Sequence, residues 1–208
     1  MSHVIQLIHP LADESLLALR DHTTPMPEFR RHAQRIARML VLEATRALPR
    51  KKAIVETPLE TFEGHQSARP VIFVPVLRAG LAMLFAGMEL MPDARVGFVG
   101  LERDEKTARA TEYYCKLPGD LANSRICVID PMLATGGSMD DTVRAIKQAG
   151  GSDIFAVCIV AAPEGIQRML EQHDDVTLVV AAVDRELDAN KFIRPGLGDF
   201  GDRYFGTV

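Results

Sequence analysis

Five short apolar runs mark the middle and later parts of the chain: Val71–Leu77, Val96–Val99, Ile126–Ile129, Ile154–Ala161 and Val176–Val183. Each is continuous rather than alternating, the pattern of strands in a parallel sheet covered on both faces. Helical stretches separate several of them, at residues 80–92, 137–150 and 164–173. Before the first run, "PEFRRHAQRIARMLVLEATRALPR" places Phe29, Ala33, Ile36, Leu40 and Ala44 at three- and four-residue spacing and predicts another helix. Pro27 and Pro49 stand at its boundaries. A polar stretch around residues 61–70 follows it. Strands alternating with helices imply βαβ units and an α/β fold with a mostly parallel central sheet flanked by helices. In such sheets ligands collect at the carboxyl ends of the strands, so the chemistry is expected just after each apolar run.

Composition changes this picture little. The 208 residues suit one large domain or one domain with a modest extension, and no internal repeat or long linker divides them. With 47% hydrophobic and 25% charged residues the chain reads as an ordinary soluble protein. A net charge of -4 argues against a protein whose main task is holding nucleic acid. No apolar run approaches the roughly 20 residues of a membrane helix. The start, "MSHVIQLIHPLADES", lacks the basic region of a signal peptide, so the cytoplasm is expected. Cys127 and Cys158 lie inside apolar runs and read as packing residues. Neither the three cysteines nor the scattered histidines have metal-site spacing, so no resident metal is expected. Arg31, Arg35 and Arg38 share one helix face, read as a solvated face or subunit contact, with an anionic-ligand patch as the alternative.

The richest signal follows Ile126–Ile129. Asp130 ends the run, and Thr135-Gly136-Gly137-Ser138 leads into a helix whose inward stripe is Met139, Val143 and Ile146. Unpaired N–H groups at a helix start, with the helix dipole, make an anion site. Thr135 and Ser138 add hydroxyl donors, and Asp130 stands where it could accept hydrogen bonds from sugar hydroxyls. The motif matches neither the nucleotide P-loop nor Gly-x-Gly-x-x-Gly. Asp140 and Asp141 occupy the first turn and are expected to point away from a bound phosphate. After Val71–Leu77, Arg78-Ala79-Gly80 puts a cation and a glycine where a strand hands over to a helix, a second place for an anion. After Val96–Val99, "GLERDEKTARATEYY" carries Arg103, Lys106 and Arg109, and the Val99–Tyr114 loop could close over the site as a lid.

The tail "NKFIRPGLGDFGDRYFGTV" combines four glycines with Phe192, Phe200, Tyr204 and Phe205, too much apolar surface for a floppy end. It predicts an ordered loop with bare backbone on one side, suited to the donor–acceptor edge of a flat heterocycle.

Taken together, "LEATRALP" (42–49), "VPVLRAGL" (74–81), "VIDPMLATGGS" (128–138), "VAAPEGI" (160–166) and "PGLGDFGDRYFGT" (195–207) resemble the uracil phosphoribosyltransferases, of the type I phosphoribosyltransferase fold. The resemblance implies one domain over 1–208. Its core spans about 70–183, a smaller hood comes from the N- and C-terminal segments, and a base-recognition segment covers about 190–208. It implies transfer of the phosphoribosyl group of phosphoribosyl pyrophosphate (PRPP) to uracil, giving UMP and pyrophosphate. Asp130, Pro131, Met132, Leu133, Ala134, Thr135, Gly136, Gly137 and Ser138 would hold the ribose and its 5′-phosphate. Arg78 and Arg103 would neutralise the pyrophosphate. Ile193 and the Gly198-Asp199-Phe200 backbone would read uracil, with Asp199 also close to PRPP or its metal and the candidate catalytic base. Mg2+ would arrive with PRPP, GTP would be a candidate effector, and a homodimer or higher homo-oligomer is implied. Phe192, Arg194, Phe200 and Leu42 depart from the family's pattern. The Phe200 side chain is expected to turn away from the base while its backbone meets it. Two rival readings are an RNA-binding regulator that senses PRPP, with the arginine face as its footprint, and a transferase for another pyrimidine.

Overall fold

The structure, a computed structural model, describes residues 3–103 and 110–207, and side chains outside 101–113. β1 (Val4–Gln6), α1 (Pro10–Arg20) and α2 (Met26–Thr45) open the chain, and β2 (Arg50–Glu56) with β3 (Thr61–Ser67) forms an antiparallel hairpin. β4 (Val71–Pro75), α3 (Gly80–Leu90) and β5 (Arg95–Val96) follow, then a second antiparallel hairpin of β6 (Phe98–Arg103) and β7 (Ala110–Lys116). β8 (Arg125–Ile129), the two-residue β9 (Met132–Leu133), α4 (Gly137–Gln148), β10 (Asp153–Ala161) and α5 (Pro163–Gln172) come next. The chain ends with β11 (Thr177–Val183), β12 (Glu186–Leu187), β13 (Ile193–Arg194) and α6 (Phe200–Phe205).

The central sheet runs β1-β11-β10-β8-β4-β5, with every neighbour parallel and β9 also paired to β10. β4 and β8 are buried along their whole length. Their continuous apolar runs follow from helices on both faces. On one face Phe73, Ile129 and Val179 pack with Phe29, Ile36 and Leu40 of α2. On the other, Ile72, Ile126 and Val180 pack with Met139, Val143 and Ile146 of α4. Phe29, Ala33, Ile36, Leu40 and Ala44 are all buried, as their spacing predicts. Cys127 and Cys158 are fully buried, and burial pushes the Cys127 thiol up to about 12, so both act as small apolar packing groups.

Three features differ from the sequence reading. Of the second apolar run only Val96 joins the sheet, in a two-residue strand where Arg95 and Val96 pair with Ile72 and Phe73. At Gly97, where a Cβ would meet the Leu117 side chain at 2.7 Å, the chain leaves the sheet and enters the second hairpin. Val99 keeps a single parallel bridge to Val76. Second, the polar stretch around 61–70 contains β3, exposed on both faces of a two-stranded ribbon. A strand with no buried face has no apolar alternation to read. Third, β1 adds an edge to the sheet with only three residues, too short to carry a periodicity. The stem of the expected Val99–Tyr114 lid is the second hairpin, while residues 104–109, with Lys106 and Arg109, and the side chain of Arg103 lie outside the described residues.

The terminal segments pack on one another. Arg203 of α6 donates to the carbonyls of Leu19 and Asp21 at the end of α1. Phe200 stacks on Tyr204 and packs against Phe29 of α2.

Candidate active site

β4 and β8 are parallel neighbours, so the turns that follow them lie side by side. The Val76 N–H donates to the Ile129 carbonyl at 2.9 Å. A Cβ on Gly80 would fall 2.4 Å from that same oxygen, so only glycine lets the start of α3 come so close to β8. This contact carries Arg78, exposed and joined to Leu77 by a cis peptide, at the same end of the sheet as Asp130.

Past Asp130 the chain is held from below. The Pro131 carbonyl accepts from the N–H groups of Ile159 and Val160, and the Leu133 carbonyl from Ala162. Gly136 adopts a left-handed φ of 78° and starts α4 without a side-chain cap, leaving the first-turn N–H groups to a ligand. Asp130 and residues 132–139 enclose a cradle of about 90 Å³, the scale of a phosphate group rather than a whole nucleotide. The floor of the cradle is α5. A Cβ on Gly165 would lie 2.4 Å from the Ala134 carbonyl oxygen, and one on Gly136 would lie 3.1 Å from the Gly165 carbonyl. Sequence reading matched Gly165 only within "VAAPEGI"; its role as a floor appears when α5 is laid against the loop.

Asp130 has an unusual environment for a carboxylate. Burial pushes its pKa up to about 7, opposed by the Met132 N–H that donates to Oδ1 at 3.2 Å. Asp140, as expected, points away from the cradle. It is buried and accepts from Arg144 at 2.9 Å, from Arg168 at 2.8 Å and from the His173 ring at 3.0 Å. Burial alone would raise its pKa, but the Arg168, Arg144 and His173 bonds override it and hold the carboxyl below its ordinary value. A first-turn acid that would repel a phosphate is thereby turned into a brace between α4 and α5.

The C-terminal segment reaches the same region. β13 pairs with β12, the Arg194–Pro195 peptide is cis, and Gly196 and Gly198 have φ of 64° and 79°. Asp199 is exposed and caps α6, its Oδ1 accepting from the Asp202 N–H at 2.9 Å. A Cβ on Gly201 would lie 3.3 Å from that Oδ1 and 3.9 Å from the Ala79 Cβ, so the start of α6 adjoins the Arg78 turn. Ile193 is 4% and Phe200 is 1% exposed, both in the core. The Phe200 ring is therefore not a pocket wall, and the loop presents backbone. Arg194 is held by Asp188 at 2.6 Å, which accounts for a charged residue at that position. The tail is not all loop, however, since residues 200–205 are helical.

The structure thus brings together Arg78, the 130–138 cradle and the start of α6 at Asp199. It also describes the arginine face: Arg31 pairs with Glu28, Arg35 with Glu14 at 3.3 Å, and Arg38 with Glu89. Guanidinium groups so matched by acids make a poor phosphate footprint. Among the described residues no group of three or more His, Cys, Asp or Glu is placed to hold a metal, and no helix is long and apolar enough to cross a membrane.

A family model described as uracil phosphoribosyltransferase matches residues 6–207. A uracil phosphoribosyltransferase of Salinibacter ruber is 45% identical over 207 residues, covering 100% of this chain and 99% of that protein. The uracil phosphoribosyltransferase of Clostridium tetani is 45% identical over 208 residues and covers 100% of both. A solved structure of an Aquifex aeolicus protein superposes with a TM-score of 0.91 at 33% identity, covering 99% of both chains. An adenine phosphoribosyltransferase from Trypanosoma brucei, solved with AMP, pyrophosphate and ribose-5-phosphate, shares the fold. Its TM-score is 0.60 at 16% identity, over 92% of this chain and 88% of that one. The cradle, the cationic turn and the glycine-rich backbone loop thus stand in one chain whose matches run its full length, and this chain belongs to the uracil phosphoribosyltransferase family.

Proposed function

We propose that the chain transfers the 5-phosphoribosyl group of PRPP to uracil, giving UMP and pyrophosphate. The observation that carries this reading is the meeting of three surfaces at the strand ends: the 130–138 cradle, the Arg78 turn and the loop at Asp199. In this reading the core at about 70–183 supplies the phosphoribosyl site of a single domain, and residues 190–208 supply the base site.

The first-turn N–H groups of α4, with Thr135 and Ser138, hold the 5′-phosphate, and Asp130 accepts from the ribose hydroxyls. A uracil nitrogen attacks the anomeric carbon. The carbon–nitrogen bond forms as the bond to the pyrophosphate oxygen breaks, and the nitrogen loses its proton. Arg78 and Arg103 stabilise the departing anion, and fixed positioning of both substrates supplies much of the rest. In this reading Ile193 and the Gly198-Asp199-Phe200 backbone match the uracil edge, and Asp199 takes the proton. Asp199 also offers one exposed carboxylate, the kind of single ligand that Mg2+ takes beside substrate phosphates. Mg2+ carried by PRPP would neutralise pyrophosphate charge there.

The same reading makes the protein a cytoplasmic homodimer or higher homo-oligomer. Phe85 and Met88 of α3 are 56% and 41% exposed, and Ile54, Val55 and Phe62 of the first hairpin are also uncovered, which suits a partner copy. GTP as an effector would need a site larger than the cradle. A groove of about 490 Å³ between the start of α1 and α2 has that size, but its Arg35, Arg38 and Arg46 are paired with Glu14, Glu89 and Glu43 and would have to leave those acids to meet a phosphate.

The test is to incubate labelled uracil with PRPP and Mg2+ and score UMP, with cytosine and other bases in parallel. UMP from uracil alone supports the reading. Product from another pyrimidine instead would reassign the base. PRPP binding without product from any base would overturn the enzyme reading in favour of a PRPP sensor.

A further inference from the structure

We propose that α1 sets base recognition at a distance, with Arg20, Asp184 and Arg203 as positioning residues for the loop that reads uracil. The inference rests on the reading that the 193–200 backbone meets the base. A recognition surface made of backbone discriminates only if it is held to a fraction of an ångström. Residues 195–198 are Pro-Gly-Leu-Gly, and glycine backbone loses the most freedom on being ordered, so the loop needs outside support.

That support is specific. Asp184 Oδ2 accepts from the Gly196 N–H at 2.9 Å, and Arg20 donates to the Gly196 carbonyl at 2.8 Å. The two side chains also bind each other, Nη1 to Oδ2 at 2.9 Å and Nη2 to Oδ1 at 2.5 Å. One ion pair therefore holds both polar groups of one residue in the loop. Asp184 is tied in turn to the sheet, its N–H donating to the Ala161 carbonyl at 2.8 Å. Ala161 ends β10 just before α5, the floor of the phosphate cradle. The pair thus fixes the spacing between the base loop and the ribose-phosphate site.

Arg203 completes the suspension from the other side. Its guanidinium lies 4.3 Å from the Phe29 ring and donates to the carbonyls of Leu197, Leu19 and Asp21. No lysine could reproduce that fork of donors. Because Arg20, Leu19 and Asp21 all belong to the end of α1, a helix that contributes no residue to the cradle determines how the base is met.

The test compares Arg20→Lys, Asp184→Asn and Arg203→Lys with Gly198→Ala, which alters the loop itself. KM for uracil and for PRPP, the uracil-to-cytosine ratio of kcat/KM, and the melting temperature would be measured for each. In the clamp variants uracil KM is expected to rise about tenfold, the worth of one charge-assisted hydrogen bond, with the base ratio reduced and PRPP KM little changed. Arg20→Lys combined with Asp184→Asn is expected to be no worse than either alone, since both act on Gly196. If Asp184→Asn fails to fold, Arg20→Lys carries the test, its side chain being 24% exposed. Should Gly198→Ala raise uracil KM while the clamp variants do not, or should they lower kcat and melting temperature with both KM values unchanged, the inference is overturned and the base-loop reading stands. If Gly198→Ala also leaves uracil KM unchanged, the base-loop reading fails and takes this inference with it.

Discussion

The backbone of Ala134 in the phosphate cradle rests on the α-carbon side of Gly165 in α5, so closely that a Cβ there would sit 2.4 Å from the Ala134 carbonyl oxygen. Neither partner is a flexible side-chain end, so the added methyl must move the cradle. Gly165→Ala is expected to lower kcat/KM for PRPP by roughly 10- to 100-fold, as small misplacements of a binding group do. Gly119→Ala, with nothing within 4 Å of its new methyl, is the control and should leave the kinetics unchanged.

Asp140 braces α4 against α5 through Arg144, Arg168 and His173. Its folded pKa lies below the ordinary 3.8, so its stabilising effect is complete above about pH 4 and is lost as the pH falls through the folded value. Asp140→Asn should cost about 2 kcal/mol at pH 7, less than a fully buried pair because Arg144 and Arg168 are about half exposed. Urea unfolding from pH 7 downwards checks this. The gap between variant and parent should hold to about pH 4 and narrow below it.

The Asp130 carboxyl, pushed up to about 7 by burial, has the opposite sign. A raised folded pKa contributes stability below the ordinary value of 3.8 that is lost as the pH rises through 7. The unliganded enzyme should therefore gain clearly more stability from Asp130→Asn at pH 8 than at pH 4.5, read by urea unfolding. PRPP binding runs the other way, because only the ionised carboxylate accepts from two ribose hydroxyls. The Kd for PRPP should tighten as the pH passes about 7 in the parent, beyond any change seen in Asp130→Asn, which carries the ligand's own titration as a baseline.

Phe200 is packed between Phe29 and Tyr204, with ring centroids 5.3 and 5.7 Å away. Phe200→Ala should destabilise the chain by about 3–5 kcal/mol and lower the melting point by about 10 °C. Phe200→Leu should keep most of the stability and the preference for uracil, since the ring does not line the base site. A change of base preference in the leucine variant would show that the side chain does meet the base.

Much of this protein follows from local sequence. A strand buried on both faces must be apolar throughout, so β4, β8, β10 and β11 stand out as continuous runs. A helix with one buried stripe repeats it every three or four residues, as α2 does at Phe29, Ala33, Ile36, Leu40 and Ala44. The phosphate cradle is equally legible, because glycines and hydroxyls between a strand and a helix have a local purpose. Resemblance to a known family then linked that cradle to a base loop no periodicity would suggest.

Tertiary structure decided the rest. The sequence leads to the expectation that Asp140 turns away from a phosphate, but nothing near it names His173, 33 residues away, as the group it faces. Arg20 and Asp184 lie 164 residues apart and meet because the sheet places the end of β11 beside the end of α1. The first hairpin escapes a periodicity reading, since a ribbon without a buried face leaves no pattern. Which way Phe200 turns depended on the space left by Phe29. Local patterns record how each segment is buried; which distant groups share that burial is set only when the chain closes on itself, through contacts whose partners local sequence does not specify.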